Sequence, residues 1–139
     1  TERIGPTAAL ATLEIMEREK SWKTITATGG KMQKGWKDLA KSHGLDITVS
    51  GIPAMTTYSF NSENSAIYKT FITQEMLKKG FLASTNFYAC TEHTQEHLDL
   101  YFDALSDVYF TINQCESGVL NVDTILDGPV CHSGFNRLN

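Results

Sequence analysis

"DITVSGIPAMTTYSFN", residues 46–61, is the stretch whose reading decides the fold. It is rich in β-branched and aromatic residues, and it alternates. Ile47 and Val49 come first, then Met55, Thr57 and Ser59 stand against Thr56, Tyr58 and Phe60. A period near two in such residues is the pattern of half-buried strands. Gly51 and Pro53 interrupt it, because proline cannot donate to a ladder and glycine weakens one. The stretch therefore reads as two strands broken near Gly51 and Pro53.

On either side the period is helical. Upstream, "GPTAALATLEIMERE" opens on Gly5-Pro6, and proline suits a first helical turn. Its small residues Ala8, Ala9 and Ala11 let the helix lie close against another element. A second helix spans about 20–43, with Trp22, Ile25, Met32, Trp36, Leu39 and Ala40 at roughly 3.6-residue spacing. Gly29, Gly30 and Gly35 weaken it, and a kink or break is expected near Gly29. His43 and Gly44 form its stop. Downstream, Tyr68, Phe71, Ile72, Met76 and Leu77 make a third stripe that ends at Lys78-Lys79-Gly80. "FLAS", 81–84, reads as a short strand. The last helix is the clearest: Leu98, Tyr101, Phe102, Leu105, Val108, Tyr109 and Ile112 step by three or four, with Thr94 placed to cap it.

The order helix, helix, strand, strand, helix, strand, helix predicts an α+β fold. A small, mainly antiparallel sheet is covered on one face by helices and preceded by a long linker helix that stands apart. The expected organisation is a linker and long helical segment at 1–44, a small α+β domain at 45–115 and a tail packed on the domain at 116–139.

Bulk properties exclude several function classes. Apolar residues make up 41% and charged residues 20% of the 139, the balance of a globular domain. The net charge of −4 offers no basic stripe of the kind that binds nucleic acid. No apolar run approaches the length of a membrane span. Cys90, Cys115 and Cys131 are an odd number without a spacing framework, which points to free thiols in a reducing, cytoplasmic setting.

One short region concentrates chemistry-bearing residues. "NFYACTEHTQEHLDLYF", 86–102, holds Cys90, His93, His97 and several carboxylates. A structural zinc site needs tetrahedral Cys or His ligands. Cys90 and His93 have a suitable spacing, but Cys115 falls deep in the last helix and Cys131 in an irregular tail, so no second tight pair exists. No metal site is expected. Cys90 beside His93 also has the outline of an activated nucleophile, yet no oxyanion-hole element accompanies it. Lys31, Lys34, Lys37, Lys41, Lys78 and Lys79 read as solvated helix faces, and none has the desolvated setting of a Schiff-base lysine.

"RIGPTAALATLE", "GGKMQKGWKDLAKSHGL", "FITQEMLKKGFLAS" and "EHTQEHLDLYFDAL" occur in this order. Together they resemble the C-terminal part of class III pyridoxal-phosphate aminotransferases, in particular those similar to glutamate-1-semialdehyde 2,1-aminomutase. The resemblance covers about residues 1–115. It implies the small domain of a fold-type-I enzyme whose cofactor, pyridoxal phosphate, is held by a lysine upstream of Thr1. The chain alone would then contain no catalytic residue and be inactive. It implies a cytoplasmic homodimer, joined through the large domain and linker helix, that acts on a small amino compound. It sets Thr1, Glu2 and Arg3 near the cofactor edge, and Asn86, Tyr88 and His93 at the lip where substrate enters. Two departures leave the substrate open. "TERIGP" replaces a Gly-Asn-Pro turn, and Asn86 and Tyr88 stand in a loop that carries an acidic residue in the aminomutase. A stand-alone interaction module derived from such a domain is the alternative.

Overall fold

The hairpin written in residues 46–61 is the frame on which the other elements pack. β1 (Ile47–Ile52) and β2 (Met55–Phe60) pair antiparallel, with Ile47 opposite Phe60 and Ile52 opposite Met55, so Pro53 and Ala54 make the turn. The computed structural model describes residues 2–132. Around the hairpin run α1 (Ile4–Glu19), α2 (Ser21–Ser42), α3 (Ser65–Lys78), β3 (Asn86–Tyr88), α4 (Gln95–Glu116) and a single 3-10 turn (Val122–Thr124). The sheet order is β1-β2-β3, antiparallel throughout. The expected α+β architecture is the observed one.

The alternation of β2 sorts its side chains between two faces. Thr56, Tyr58 and Phe60 are buried, while Met55 and Ser59 are exposed. The inner face meets Met32, Trp36 and Ala40 of α2, Tyr68, Phe71, Ile72 and Met76 of α3, and the Leu98–Ile112 stripe of α4. At its centre Trp36 lies 4.6 Å from the Tyr58 ring and donates Nε1–H to the Tyr101 hydroxyl at 2.9 Å. Among the described residues the buried Tyr58 and Tyr109 hydroxyls have no hydrogen-bond partner, and burial pushes both phenols well above their ordinary pKa.

Two expectations need correction. The first is the break near Gly29. α2 runs unbroken through all three glycines, and the chain turns instead at Lys20, the one described non-glycine residue with positive φ (50°). Gly29 and Gly35 are contact points. A Cβ at Gly29 would lie 1.7 Å from the Pro53 carbonyl oxygen, and one at Gly35 would lie 2.2 Å from the Phe102 ring. Their missing side chains let α2 touch the hairpin turn on one side and α4 on the other.

The second correction concerns the third strand, which is Asn86–Tyr88 and not 81–84. Gly80, at φ 88°, ends α3, and the Phe81 N–H donates to the Met76 carbonyl at 2.8 Å. This is a helix C-cap closing on itself. Residue 81 is spent on that cap, and ladder pairing begins only where Asn86 comes opposite Thr57.

α4 starts on Thr94, whose Oγ1 accepts from the His97 N–H at 3.3 Å. After α4 the tail lies along α3. The Gln74 side chain donates to the Ile125 carbonyl and accepts from the Asp127 N–H, and Thr70 Oγ1 accepts from the Cys131 N–H. Val122, Ile125 and Leu126 pack against the core beneath. Residues 133–139 of the expected tail lie outside the described residues. α1 buries no residue and packs mainly along α2.

Candidate functional site

β3 is only three residues long, and its alternation divides the candidate residues. Phe87 turns inward onto Trp36, 6.5 Å between centroids. Asn86 and Tyr88 turn outward and are exposed. In register, Tyr88 stands beside Met55 and then Ile52, while Asn86 stands beside Thr57 and then Ser50. The outer sheet face thus carries an apolar row, Ile52, Met55 and Tyr88, next to a polar row, Ser50, Thr57 and Asn86. Between them is a shallow cleft of about 290 Å³. The Thr57 hydroxyl lies 2.7 Å from Asn86 Oδ1 and 3.0 Å from the Thr85 carbonyl. The hydroxyl has one proton for these two acceptors, and where it goes to the nearer Oδ1 the Asn86 oxygen is fixed and its amide NH₂ remains to donate.

His93 sits on the other side of β3. Its ring lies 4.8 Å from that of Phe87, and Nδ1 accepts from the Cys90 N–H at 3.1 Å. That contact needs Nδ1 without a proton, so a neutral ring carries its hydrogen on Nε2. His97 Nδ1 lies between two backbone partners, and its tautomer sets whether it donates to the Glu92 carbonyl or accepts from the Thr94 N–H. It is 2.9 Å from the Glu92 carbonyl, which can only accept. The Thr94 N–H satisfies the same Glu92 carbonyl at 2.9 Å and is 3.4 Å from Nδ1. Cys90 and the two histidines therefore tie the 89–94 loop to the start of α4. His93 shares a loop with the outer-face pair but not its face.

At the other end of the chain, Glu2 Oε1 accepts from the Gly5 N–H at 2.7 Å, closing the first turn of α1. Arg3 contributes its carbonyl to Thr7 and makes no side-chain hydrogen bond or ion pair among the described residues. Thr1 lies outside the described residues.

Sequence reasoning missed Thr57 and the Ile52–Met55–Tyr88 row. Both follow only from the register of β3 on β2, and the misplaced third strand hid that register.

The described residues do not form a seat for pyridoxal phosphate. Every lysine among them is exposed, on helix faces or at helix ends, whereas an imine-forming lysine needs desolvation. No group of three or more His, Cys, Asp or Glu side chains is arranged to hold a metal ion among these residues. Cys90 is exposed, Cys115 and Cys131 are half-buried, and all three are free. No helix is long and apolar enough to cross a membrane among these residues.

No family model matches the chain. Individual proteins do. The 3-aminobutyryl-CoA aminotransferase of Cloacimonas acidaminovorans (strain Evry) is 26% identical over 108 residues, covering 74% of this chain and 26% of that protein. The 2'-deamino-2'-hydroxyneamine transaminase of Streptomyces kanamyceticus is 27% identical over 112 residues, covering 77% and 28%. The chain is similar to aminotransferases. A glutamate-1-semialdehyde 2,1-aminomutase of Clostridium kluyveri is likewise 27% identical over 116 residues, covering 71% of this chain and 27% of that protein. The resemblance to aminotransferases and the aminomutase drawn from the four motifs is the one these comparisons find. The fold agrees: the FumI protein of Sphingopyxis sp. MTA144, solved in its PLP internal aldimine form, superposes with a TM-score of 0.68 at 18% identity, over 86% of this chain and 29% of that one. The cofactor that the resemblance implied is the one named with that structure. The chain spans about a quarter of the length of the curated relatives it matches.

Proposed function

We propose that this chain is the C-terminal small-domain part of a pyridoxal-phosphate aminotransferase or aminomutase similar to glutamate-1-semialdehyde 2,1-aminomutase. The observation that carries the reading is its similarity to three amino-transferring proteins, each along about three quarters of the chain and about a quarter of the relative. The whole protein moves an amino group on a small amino or keto compound, as a cytoplasmic homodimer joined through its large domain and α1. Pyridoxal phosphate supplies the electron sink for that chemistry when bound, on a lysine outside these 139 residues.

This chain's own residues orient and shield. The outer sheet face turns toward the substrate entrance. There the Asn86 amide offers a donor, and Tyr88 covers the apolar row beside it. His93 shapes the rim by holding its loop. Thr1, Glu2 and Arg3 lie near the cofactor edge, where the Arg3 guanidinium, without a partner among the described residues, can grip a carboxylate in a bidentate pair. The exposed apolar side chains of α1 support this reading, because they fit a helix that another part of the protein covers.

Incubation with pyridoxal phosphate, borohydride reduction and mass spectrometry test it. The full-length parent should carry one modified lysine outside this chain, and the chain alone should carry none and show no amino transfer. Absence of a specific label in both would remove the cofactor reading and leave a stand-alone interaction module. Specific labelling and turnover by these 139 residues would overturn the assignment of an inactive part.

A further inference from the structure

The outer surface of the helical layer carries two columns of opposite charge. On α2, Lys23, Lys31, Lys34, Lys37 and Lys41 are exposed and fall within an arc of about 120° at 3.6 residues per turn, opposite the buried Met32, Trp36 and Ala40. Lys20, just before the helix, continues the column. On α4, Glu96, Asp99, Asp103 and Asp107 are exposed within a narrower arc, opposite the buried Leu98, Tyr101 and Leu105. The one carboxylate in the lysine column is Asp38, paired with Lys34 in its own helix.

The two helices run side by side in the same direction. Lys31 bonds Gln95, Trp36 bonds Tyr101 and His43 bonds Ser106, at sequence separations of 64, 65 and 63. Four of the lysines are therefore level with a carboxylate: Lys31 with Glu96, Lys34 with Asp99, Lys37 with Asp103 and Lys41 with Asp107. Yet no ion pair joins α2 to α4 among the described residues. Lys31 reaches a neutral amide, and Asp107 pairs instead with Lys79 of α3.

We propose that this face is an interface between two copies of the chain. A two-fold axis parallel to α2 and α4 sets α2 of one copy over α4 of the other, and the reverse, without changing height. The level matching inside one chain then becomes matching between chains, in the self-complementary way that a two-fold interface requires. Any axis that crosses the helices sets lysine over lysine and is repelled. A second copy is favoured over a partner of one charge, because such a partner satisfies one column and meets its own sign in the other. This contact is independent of the enzyme assignment. In an enzyme already dimeric through its large domain it would link dimers.

The test is sedimentation velocity of the reduced 139-residue chain between about 0.02 and about 0.5 M salt, where screening shortens from roughly 20 Å to a few ångströms. The expected result is a dimer at low salt whose dissociation constant weakens at least about tenfold at high salt. Two variants complete it, each checked for helix content. Lys34→Glu/Lys37→Glu/Lys41→Glu makes both columns acidic, and Glu96→Lys/Asp99→Lys/Asp103→Lys makes both basic. Each alone should be monomeric at low salt, and an equimolar mixture should form a 1:1 heterodimer. A wild-type monomer at low salt, dimers that persist at high salt as association through the apolar face of α1 would, or a mixture that stays monomeric would each overturn the proposal.

Discussion

The helical hairpin made by α1 and the first turns of α2 differs sharply from the rest of the helices. In the hairpin, Ile4, Leu10, Leu13, Ile15 and Trp22 remain exposed. In the remainder of α2 and in α3 and α4, most residues of the same kind are sealed in the core, with Leu77, Leu100 and Phe110 the exposed exceptions. Composition does not separate the two regions, and neither does helix propensity. What separates them is a partner surface. The second half of α2 has the sheet on one side and α4 on the other. α1 has mainly α2. A sequence can make an apolar face, but burial depends on what is available to cover it.

Trp22 and Trp36 lie on one helix and give the largest test of this contrast. Trp36 is 0% exposed and Trp22 is 45% exposed. Trp36→Ala leaves a large cavity and an unpaired Tyr101 hydroxyl, and should cost about 3–5 kcal/mol in urea unfolding. Trp22→Ala should fall within about 0.5 kcal/mol of wild type. Equal losses at the two sites would mean that α1 and α2 form a second core in solution.

Gly29→Ala probes the same boundary from the backbone. On propensity alone, alanine in a helix should stabilise by about 1 kcal/mol. Here its Cβ meets the Pro53 carbonyl at 1.7 Å, and the helix cannot retreat without opening the Gly35–Phe102 contact on its other side. Destabilisation by about 3 kcal/mol is expected from thermal melts. Gly30→Ala has open space around its Cβ and should follow propensity instead. If the two substitutions behave alike, α2 does not bear on the hairpin turn.

These glycines also mark what the sequence could and could not say. The two periods in the chain, near two at 46–61 and near 3.6 elsewhere, were enough for the α+β class, the one covered sheet face and the α4 stripe. Gly29 read as a weak point because local sequence carries propensity, while the reason for a glycine there is Pro53, which is distant along the chain. The third strand was misplaced for a similar reason. Phe81 and Ala83 have strand character, but the αL residue Gly80 commits Phe81 to a helix cap. The candidate site was legible in part. Asn86, Tyr88 and His93 could be singled out from their types and from the resemblance. That Asn86 and Tyr88 share a face with Thr57 and Met55, and that His93 does not, is a property of strand register.

Thr94→Ala is a smaller test, on the well-packed side. The Thr94 Oγ1 accepts the His97 N–H at the start of α4, and its loss should cost about 1 kcal/mol. Because the same turn holds the Glu92 carbonyl, amide exchange should quicken at 93–98 and stay unchanged in α3. Faster exchange throughout α4 would indicate that the cap nucleates the helix as well as closing it.

The smallest expected effect is on the acid limb of stability. Burial raises the Glu75 carboxyl, but hydrogen bonds from Gln74 and Lys78 outweigh it and hold the pKa below its ordinary value of 4.5. A carboxyl lowered on folding adds stability that is complete above its unfolded pKa and is lost as pH falls through the folded one. The Glu75 contribution should therefore be constant at neutral pH and vanish on acidification below about 4.5. Glu75→Gln should flatten that part of the pH–stability curve by under about 1 kcal/mol, since Lys78, its charged partner, is half exposed to solvent. Lys78 also pairs with Asp127, and Gln74 holds the backbone on either side of it. The substitution should for that reason loosen the tail before it loosens the core. Limited proteolysis near 127–131 at low pH would detect this, and equal protection of the tail in both proteins would show that the Gln74 bonds suffice without the charge.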